Sequence, residues 1–428
     1  MCRPSSTTCR PKKSKEPQAV VRTNLWDLRA LGSLIALCSA VIWAIPTFST
    51  YFSYGNPGSV DFIQYWSAFR ALQQGCNPYD GVTLHTIQAQ AGQLAESTIL
   101  MWNPPWTALL VAPFGLLSFQ EAACAWFICS LLSLLAIAYT APRALGVTAP
   151  PLIVSACGVI FFRPIVESLA LGQLSILLAL ACTMILYLAA AGRLFAAGAV
   201  TWLCSVKPHL FILLLPLAIA WLHALQPKER QSFLLGFGCI STATIALTYL
   251  LWPEAISQWH AALGATPVGP GAVPMKMWKT ATIPSLLRIG LEQLYGYPPI
   301  WPLYVIPLLS LLLVTAYFFK RAEKPVLLGQ LTPPLLCLSL ALCGYGWLFD
   351  QSVLVLGQLS LLYSAWHTPK LSTRIVLSGG LATALIGSIL VSTLCTPAQQ
   401  HYFAWIPLLL LALLLLAHRL QRHSQQIS

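Results

Sequence analysis

The stretch VDFIQYWSAFRALQQGCNPYDGVTL, residues 60–84, carries Asp61 and Asp80, two of only four aspartates in 428 residues. Near them stand Gln64, Tyr65, Asn77, Tyr79 and, further along the same loop, Asn103. Hydroxyl, amide and carboxylate groups gathered beside apolar runs suit the hydroxyls of a sugar held next to lipid. Asp61 also precedes an apolar-periodic stretch, where an aspartate satisfies the orphan N–H groups of a helix start, so both readings are open.

A second set of polar residues interrupts later apolar runs. RPIVESLALGQLS supplies Arg163, Glu167 and Gln173, SVKPHLF supplies Lys207 and His209, and GYGWLFDQSVLVL supplies Asp350. Arg163 and Glu167 are spaced to pair on one helix face. Lys207 precedes Pro208 at a break between two short apolar segments. Freed backbone groups and a cation at one point suit a lipid phosphate, although a lysine can also snorkel to the headgroups. Asp350 again reads as a cap or as a site residue.

Such residues need a scaffold, and composition defines it. The chain is 57% hydrophobic and 8% charged, with a mean hydropathy of +0.72, whereas soluble domains carry about 25% charge. It is an all-α polytopic membrane protein. The formal charge of +12 does not point to nucleic acid, because Lys and Arg fall in an N-terminal tail and in short loops. Most of the thirteen cysteines lie in apolar spans and read as small core residues, with Cys76 and Cys395 the one conceivable outer pair. Walker A, H-E-x-x-H, C-x-x-C and G-x-S-x-G patterns are all missing, and a metal site of Asp61, Asp80 and Asp350 is poorly specified. No cofactor or metal is expected.

Apolar spans long enough, or nearly so, to cross about 30 Å of hydrocarbon fall at 31–52, 121–141, 150–166, 174–191, 194–206, 210–225, 233–252, 300–319, 326–348, 353–366, 375–394 and 402–418. About twelve crossings with both termini cytoplasmic put seven basic tail residues and eleven loop residues inside, 18 of 24. The expected organisation is a basic tail at 1–30, a transmembrane domain at 31–419 and a C-terminal tail at 420–428. Outer loops at 53–120 and 253–299 are long enough to carry function. In the first, NPPWTALLVAPFGLLSF (103–119) reads as re-entrant or interfacial, because a full crossing there would reverse every later loop. Phe62, Tyr65, Trp66, Phe69 and Leu72 form one helical stripe, expected to lie along the membrane surface. The second loop, rich in Gly and Pro with Trp259, His260, Lys276, Trp278 and Lys279, reads as a mobile lid whose cations meet anionic lipid.

DFIQYWSAFRALQQGCNPYD, NPPWTALLVAPFGLLSF, LGQLSILLAL, SVKPHLFILLLPL and LFDQSVLVL occur in that order. The ordered set resembles glycosyltransferase family 87, integral-membrane enzymes of the GT-C class that include polyprenyl-phosphate-mannose-dependent mannosyltransferases. The resemblance implies a hexose, most plausibly mannose, passed from a polyprenyl phosphate to a lipid or glycan acceptor with inversion, at the extracytoplasmic face of the plasma membrane. It implies Asp61 as general base and Lys207, assisted by His209 or Arg163, at the donor phosphate. Gln64, Tyr65, Tyr79, Asp80, Asn103, Gln173 and Asp350 would position substrate. Trp102 and Asn103 stand where the family often has an aromatic before the two prolines, a departure that bears on Asn103.

Two other functions fit a polytopic membrane chain. A transporter or flippase of lipid-linked sugars would use the same groove without chemistry, but such proteins usually show repeated halves and mid-membrane charges, neither of which is visible here. A non-catalytic assembly subunit would have no need to hold Asp61, Lys207 and Asp350 together.

Overall fold

The structure, a computed structural model, describes residues 60–92, 98–268, 273–320, 327–395 and 397–427. The tail at 1–30 and the span at 31–52 lie outside the described residues.

Among the described residues every regular element is a helix. Phe62–Gln73 (α1), Gly81–Gln90 (α2) and Thr107–Gly115 (α3) form the first loop region. Phe119–Ala144 (α4) follows, then Leu152–Ile160 (α5), Arg163–Leu171 (α6), Ser175–Ala190 (α7) and Leu194–Thr201 (α8). Two 3-10 segments, Trp202–Val206 and Pro208–Leu214, lead into Leu215–Ala224 (α9), Pro227–Leu251 (α10) and Ala255–Gly264 (α11). The chain continues with Ile283–Tyr295 (α12), Pro302–Lys320 (α13) and Leu328–Leu342 (α14), then the 3-10 segment Leu348–Leu354. It closes with Val355–His367 (α15), Leu371–Leu394 (α16), the 3-10 segment Pro397–Phe403 and Trp405–Ile427 (α17).

Five helices are long and apolar enough to cross a membrane, six if the bent pair α5 and α6 is one span. Four further apolar stretches, at α7, at α8 with its 3-10 extension, at the 3-10 segment with α9, and at α14, are shorter. Outward side chains such as Leu250, Leu313, Phe319 and Leu394 are largely exposed, the coat expected of a surface facing lipid. The final helix runs through Ile427, so the stretch 420–427 continues α17.

The core sits where α4 lies along α7 and α14 along α17, with α15 and the Leu348–Leu354 segment between them. Beside it α8 and α10 approach at backbone distance: a Cβ on Gly198 would collide with the Phe233 carbonyl, and one on Gly236 with that of Phe195. Small residues at such a crossing let dispersion replace the hydrophobic drive that lipid removes.

The first loop departs from expectation in one respect. Phe62, Tyr65, Trp66, Phe69 and Leu72 are all buried, 0–8% exposed, and so face protein rather than the membrane surface. Phe62 stacks on Trp126 of α4 at 5.0 Å, and Trp66 meets Phe119 at 5.4 Å. A helical stripe reports that a face is covered, not what covers it. Helix α3, nine residues or about 14 Å long, is too short to cross the bilayer and rests on α1 and α4. The cysteine expectation also needs amending. Cys182, Cys337 and Cys343 are buried, but Cys124 and Cys239 are exposed on helices, and both Cys76 and Cys395 are free.

Candidate functional site

Three breaks in helical geometry bring the polar residues together. Helix α6 ends at Gly172, whose φ of +71° is a left-handed turn that glycine adopts without strain, and Gln173 follows it. Lys207, at φ −137°, separates two 3-10 segments. Asp350 lies inside the 3-10 segment Leu348–Leu354. Non-helical backbone within an apolar bundle persists where protein surrounds it or where it lines a cavity.

Asp61 stands at the start of α1 but does not cap it: its side chain makes no bond to the first-turn N–H groups. Its own N–H donates to the Leu171 carbonyl at 2.9 Å, which ties α1 to the end of α6. Its Oδ2 accepts from Gln173 Nε2 at 2.7 Å. The Gln173 oxygen in turn accepts from Tyr65 at 2.8 Å and from Lys207 Nζ at 3.2 Å. Two donors at that oxygen leave the amide nitrogen facing Asp61, so the orientation follows from the network.

Lys207 is 8% exposed and pairs with Asp350 Oδ1 at 2.7 Å. That oxygen also accepts from Ser175 at 2.9 Å, while Oδ2 accepts from the Trp347 N–H at 3.0 Å. Asp350 is therefore both a local cap and a counter-ion. The Phe349 ring lies 5.0 Å from Lys207 Nζ. The snorkelling alternative for Lys207 does not describe this buried pair.

Asp61 remains half-buried, and its carboxyl is pushed up from 3.8 to about 6. Burial is the largest cause; the Gln173 hydrogen bond and the Lys207 charge oppose it, while Glu167 and Asp350 add to it. Its Oδ1 takes no hydrogen bond from the described residues.

The other expected residues are placed as follows. Asp80 caps α2, accepting from Thr83 N at 2.9 Å and Thr83 Oγ1 at 2.7 Å, and these bonds hold its carboxyl below the usual range. Asn77 accepts from the Tyr79 N–H at 2.9 Å, and Tyr79 donates its hydroxyl to the Asn103 carbonyl at 2.9 Å. Asn103 donates to the Val206 carbonyl at 3.1 Å, bracing the residue before Lys207. Gln64 is buried on α1. Arg163 pairs with Glu167 at 2.7 Å and donates to Ser392 at 2.9 Å. His209 lies against Tyr345, ring centres 4.1 Å apart, with its buried Nε2 unpartnered among the described residues. The structure thus joins Asp61, Tyr65, Gln173, Lys207 and Asp350 in one network and gives Asp80, Tyr79 and Asn103 bracing bonds in the first loop.

Sequence reasoning missed Ser175 and an aromatic group above the Lys207 pair. Trp278 of the second loop meets Trp102 at 5.3 Å, Trp347 at 5.4 Å and Tyr345 at 5.9 Å. Trp259 meets Trp106 at 5.6 Å and donates to the Trp102 carbonyl at 3.1 Å. The tryptophan content of both loops was visible, but their pairing was not. An open groove lined by Trp66, Arg70, Gln73, Gln74, Gln90 and Gln120 includes none of the network residues. Among the described residues no three His, Cys, Asp or Glu side chains are grouped to hold a metal.

A polytopic helical bundle with one half-buried carboxylate, an oriented amide and a buried ion pair at its helix breaks defines a membrane protein with a polar reaction or binding centre. The sequence pattern of glycosyltransferase family 87 matches residues 102–343, more than half of the chain, and the chain belongs to that family. It is accordingly a membrane glycosyltransferase. The matched region contains Gln173, Ser175 and Lys207, with Asp61 before it and Asp350 after it. Neither a curated protein nor a solved structure matches the chain.

Proposed function

We propose that the enzyme moves a hexose, with mannose first among candidates, from a polyprenyl phosphate to a lipid or glycan hydroxyl, and that Asp61 is the general base. The observation that carries this reading is the state of Asp61: one oxygen is held by Gln173, the other accepts no hydrogen bond from the described residues, and burial raises its basicity. A carboxylate near pKa 4 would take the proton only late in the reaction. One near 6 is better matched to neutral pH and still ionised there.

In the proposed reaction the acceptor oxygen bonds to the anomeric carbon as its proton passes to Asp61 Oδ1. The bond from that carbon to the phosphate oxygen breaks on the opposite face, and its electron pair leaves with the polyprenyl phosphate. The anomeric centre inverts. Gln173, fixed by Tyr65 and Lys207, aims the carboxylate, and preorganisation of this kind is what proximity catalysis requires. The Lys207 charge is matched by Asp350, so this pair sets the electrostatics of Asp61 and Gln173.

The concentration of Lys and Arg in loops on one side supports cytoplasmic termini and an extracytoplasmic site. Purified protein in nanodiscs, given labelled polyprenyl-phosphate mannose and a membrane lipid extract, should yield a labelled lipid or glycan. Absence of product across hexose donors would overturn the reading.

A further inference from the structure

Where the second loop meets the last two 3-10 segments, buried polar atoms without partners collect. Arg288, 0% exposed, pairs with Glu292 at 3.1 Å and donates to the Trp278 carbonyl at 3.3 Å, yet its Nε has no partner among the described residues. Thr280 Oγ1, Gln351 Oε1 and His401 Nδ1 are also buried and unpartnered among the described residues. Such groups cost stability unless water or a ligand completes them.

Hydrogen bonds bring these residues to one neighbourhood. Gln351 Nε2 donates to the Ala281 carbonyl at 3.2 Å and to that of Phe403 at 3.3 Å. The Thr280 N–H donates to Ser285 at 3.0 Å, one turn before Arg288 on α12. Lys279, exposed, lies between Trp278 and Thr280, and His401 stands two residues before Phe403, whose carbonyl Gln351 joins to that of Ala281. The region borders the Lys207 pair, because Trp278 rests on Trp347, whose N–H donates to Asp350.

Charge separates the two places. Lys207, Asp350 and Asp61 sum to one net negative charge when ionised, a poor setting for an anion. Around Arg288, the Glu292 carboxylate offsets one cation and Lys279 remains in excess. We propose that Lys279, Arg288 and His401, with Thr280, form a binding site for a phosphate group carried on a lipid. Arg, Lys and the His and Thr side chains supply donors to its oxygens. The Gln351 oxygen, an acceptor, would face a hydroxyl beside the phosphate. This deepens the proposed reaction by moving the donor phosphate from Lys207 to the second loop.

The test is equilibrium binding of a sugar-free labelled polyprenyl phosphate to the full chain in phosphatidylcholine nanodiscs, so that no turnover is needed. Lys279→Glu reverses an exposed charge, and His401→Gln keeps a hydrogen-bonding group. Loss of the charge-assisted contact should weaken binding about tenfold in Lys279→Glu and severalfold in His401→Gln. Lys228→Glu, an exposed change on α10, should leave binding as in wild type. Affinities within twofold of wild type in both site variants overturn the proposal, as does absence of binding to wild type. Added phosphatidylglycerol or inorganic phosphate identifies the source: no competition assigns the site to the prenyl lipid, and equal competition by phosphatidylglycerol assigns it to bulk anionic lipid. If sugar transfer fails while Lys279-dependent binding persists, the reaction is refuted and the pocket stands. Transfer with Lys279-independent binding means the reverse.

Discussion

Gln173 Nε2 donates to Asp61 Oδ2 at 2.7 Å across 112 residues of sequence, and this one bond draws the carboxylate away from the helix it precedes. It also couples the carboxylate to Lys207, because the oxygen of the same amide accepts from Nζ.

Turnover should therefore rise with pH through a limb near 6, as Asp61 loses its proton. Gln173→Glu keeps an acceptor for Tyr65 and Lys207 but sets a carboxylate against Asp61. That limb should move up by about one unit, since a like charge disfavours ionisation. A pH-rate series with both proteins checks it; an unmoved limb would show that Gln173 does not touch the titrating group.

Breaking the buried pair should be costly. Lys207→Met leaves Asp350 without its counter-ion and should lower stability by about 3–5 kcal/mol. Adding Asp350→Leu removes the stranded charge and should recover most of that loss without restoring turnover. Thermal unfolding midpoints of the three proteins, read beside transfer rates, distinguish the pair's structural and functional parts.

Asp80→Ala should cost about 1 kcal/mol, the usual value of a lost N-cap, and leave the pH midpoint of turnover unchanged. Its carboxylate holds Thr83 and has no bond to the Gln173 network. A shifted midpoint would bring Asp80 into the reaction centre.

Cys76 is a free, exposed thiol in the first loop and so reports topology without an introduced residue. An impermeant maleimide applied to whole cells should label wild type and label Cys76→Ser less. Equal labelling before lysis, with a difference only after lysis, would place this loop inside.

Length and apolar run sufficed to find the long helices: the run at 121–141 became Phe119–Ala144, because an unbroken apolar stretch has few alternatives in lipid. The break at Lys207 was legible from Pro208, which cannot continue the hydrogen-bond ladder. What occupies a break was not. Asp61 and Asp80 each precede a helix, yet Thr83 provides the second a local partner while Gln173 claims the first from a distance. The pairing of Lys207 with Asp350, 143 residues apart, and of Trp278 with Trp347 depends on tertiary approach that no local spacing encodes. The stripe on α1 is a covered face, but protein rather than the membrane surface covers it, since lipid and protein select the same side chains.

The most direct measurement is sugar transfer by Asp61→Asn beside wild type, with donor binding and thermal stability read on the same preparations. Folding raises the Asp61 pKa, so its contribution to stability is full below about pH 4 and is lost as pH rises through about 6. The amide variant should thus be at least as stable as wild type at pH 7. The expected result is a folded variant that binds donor and makes no product. Wild-type turnover by that variant would contradict the assignment of Asp61 as base.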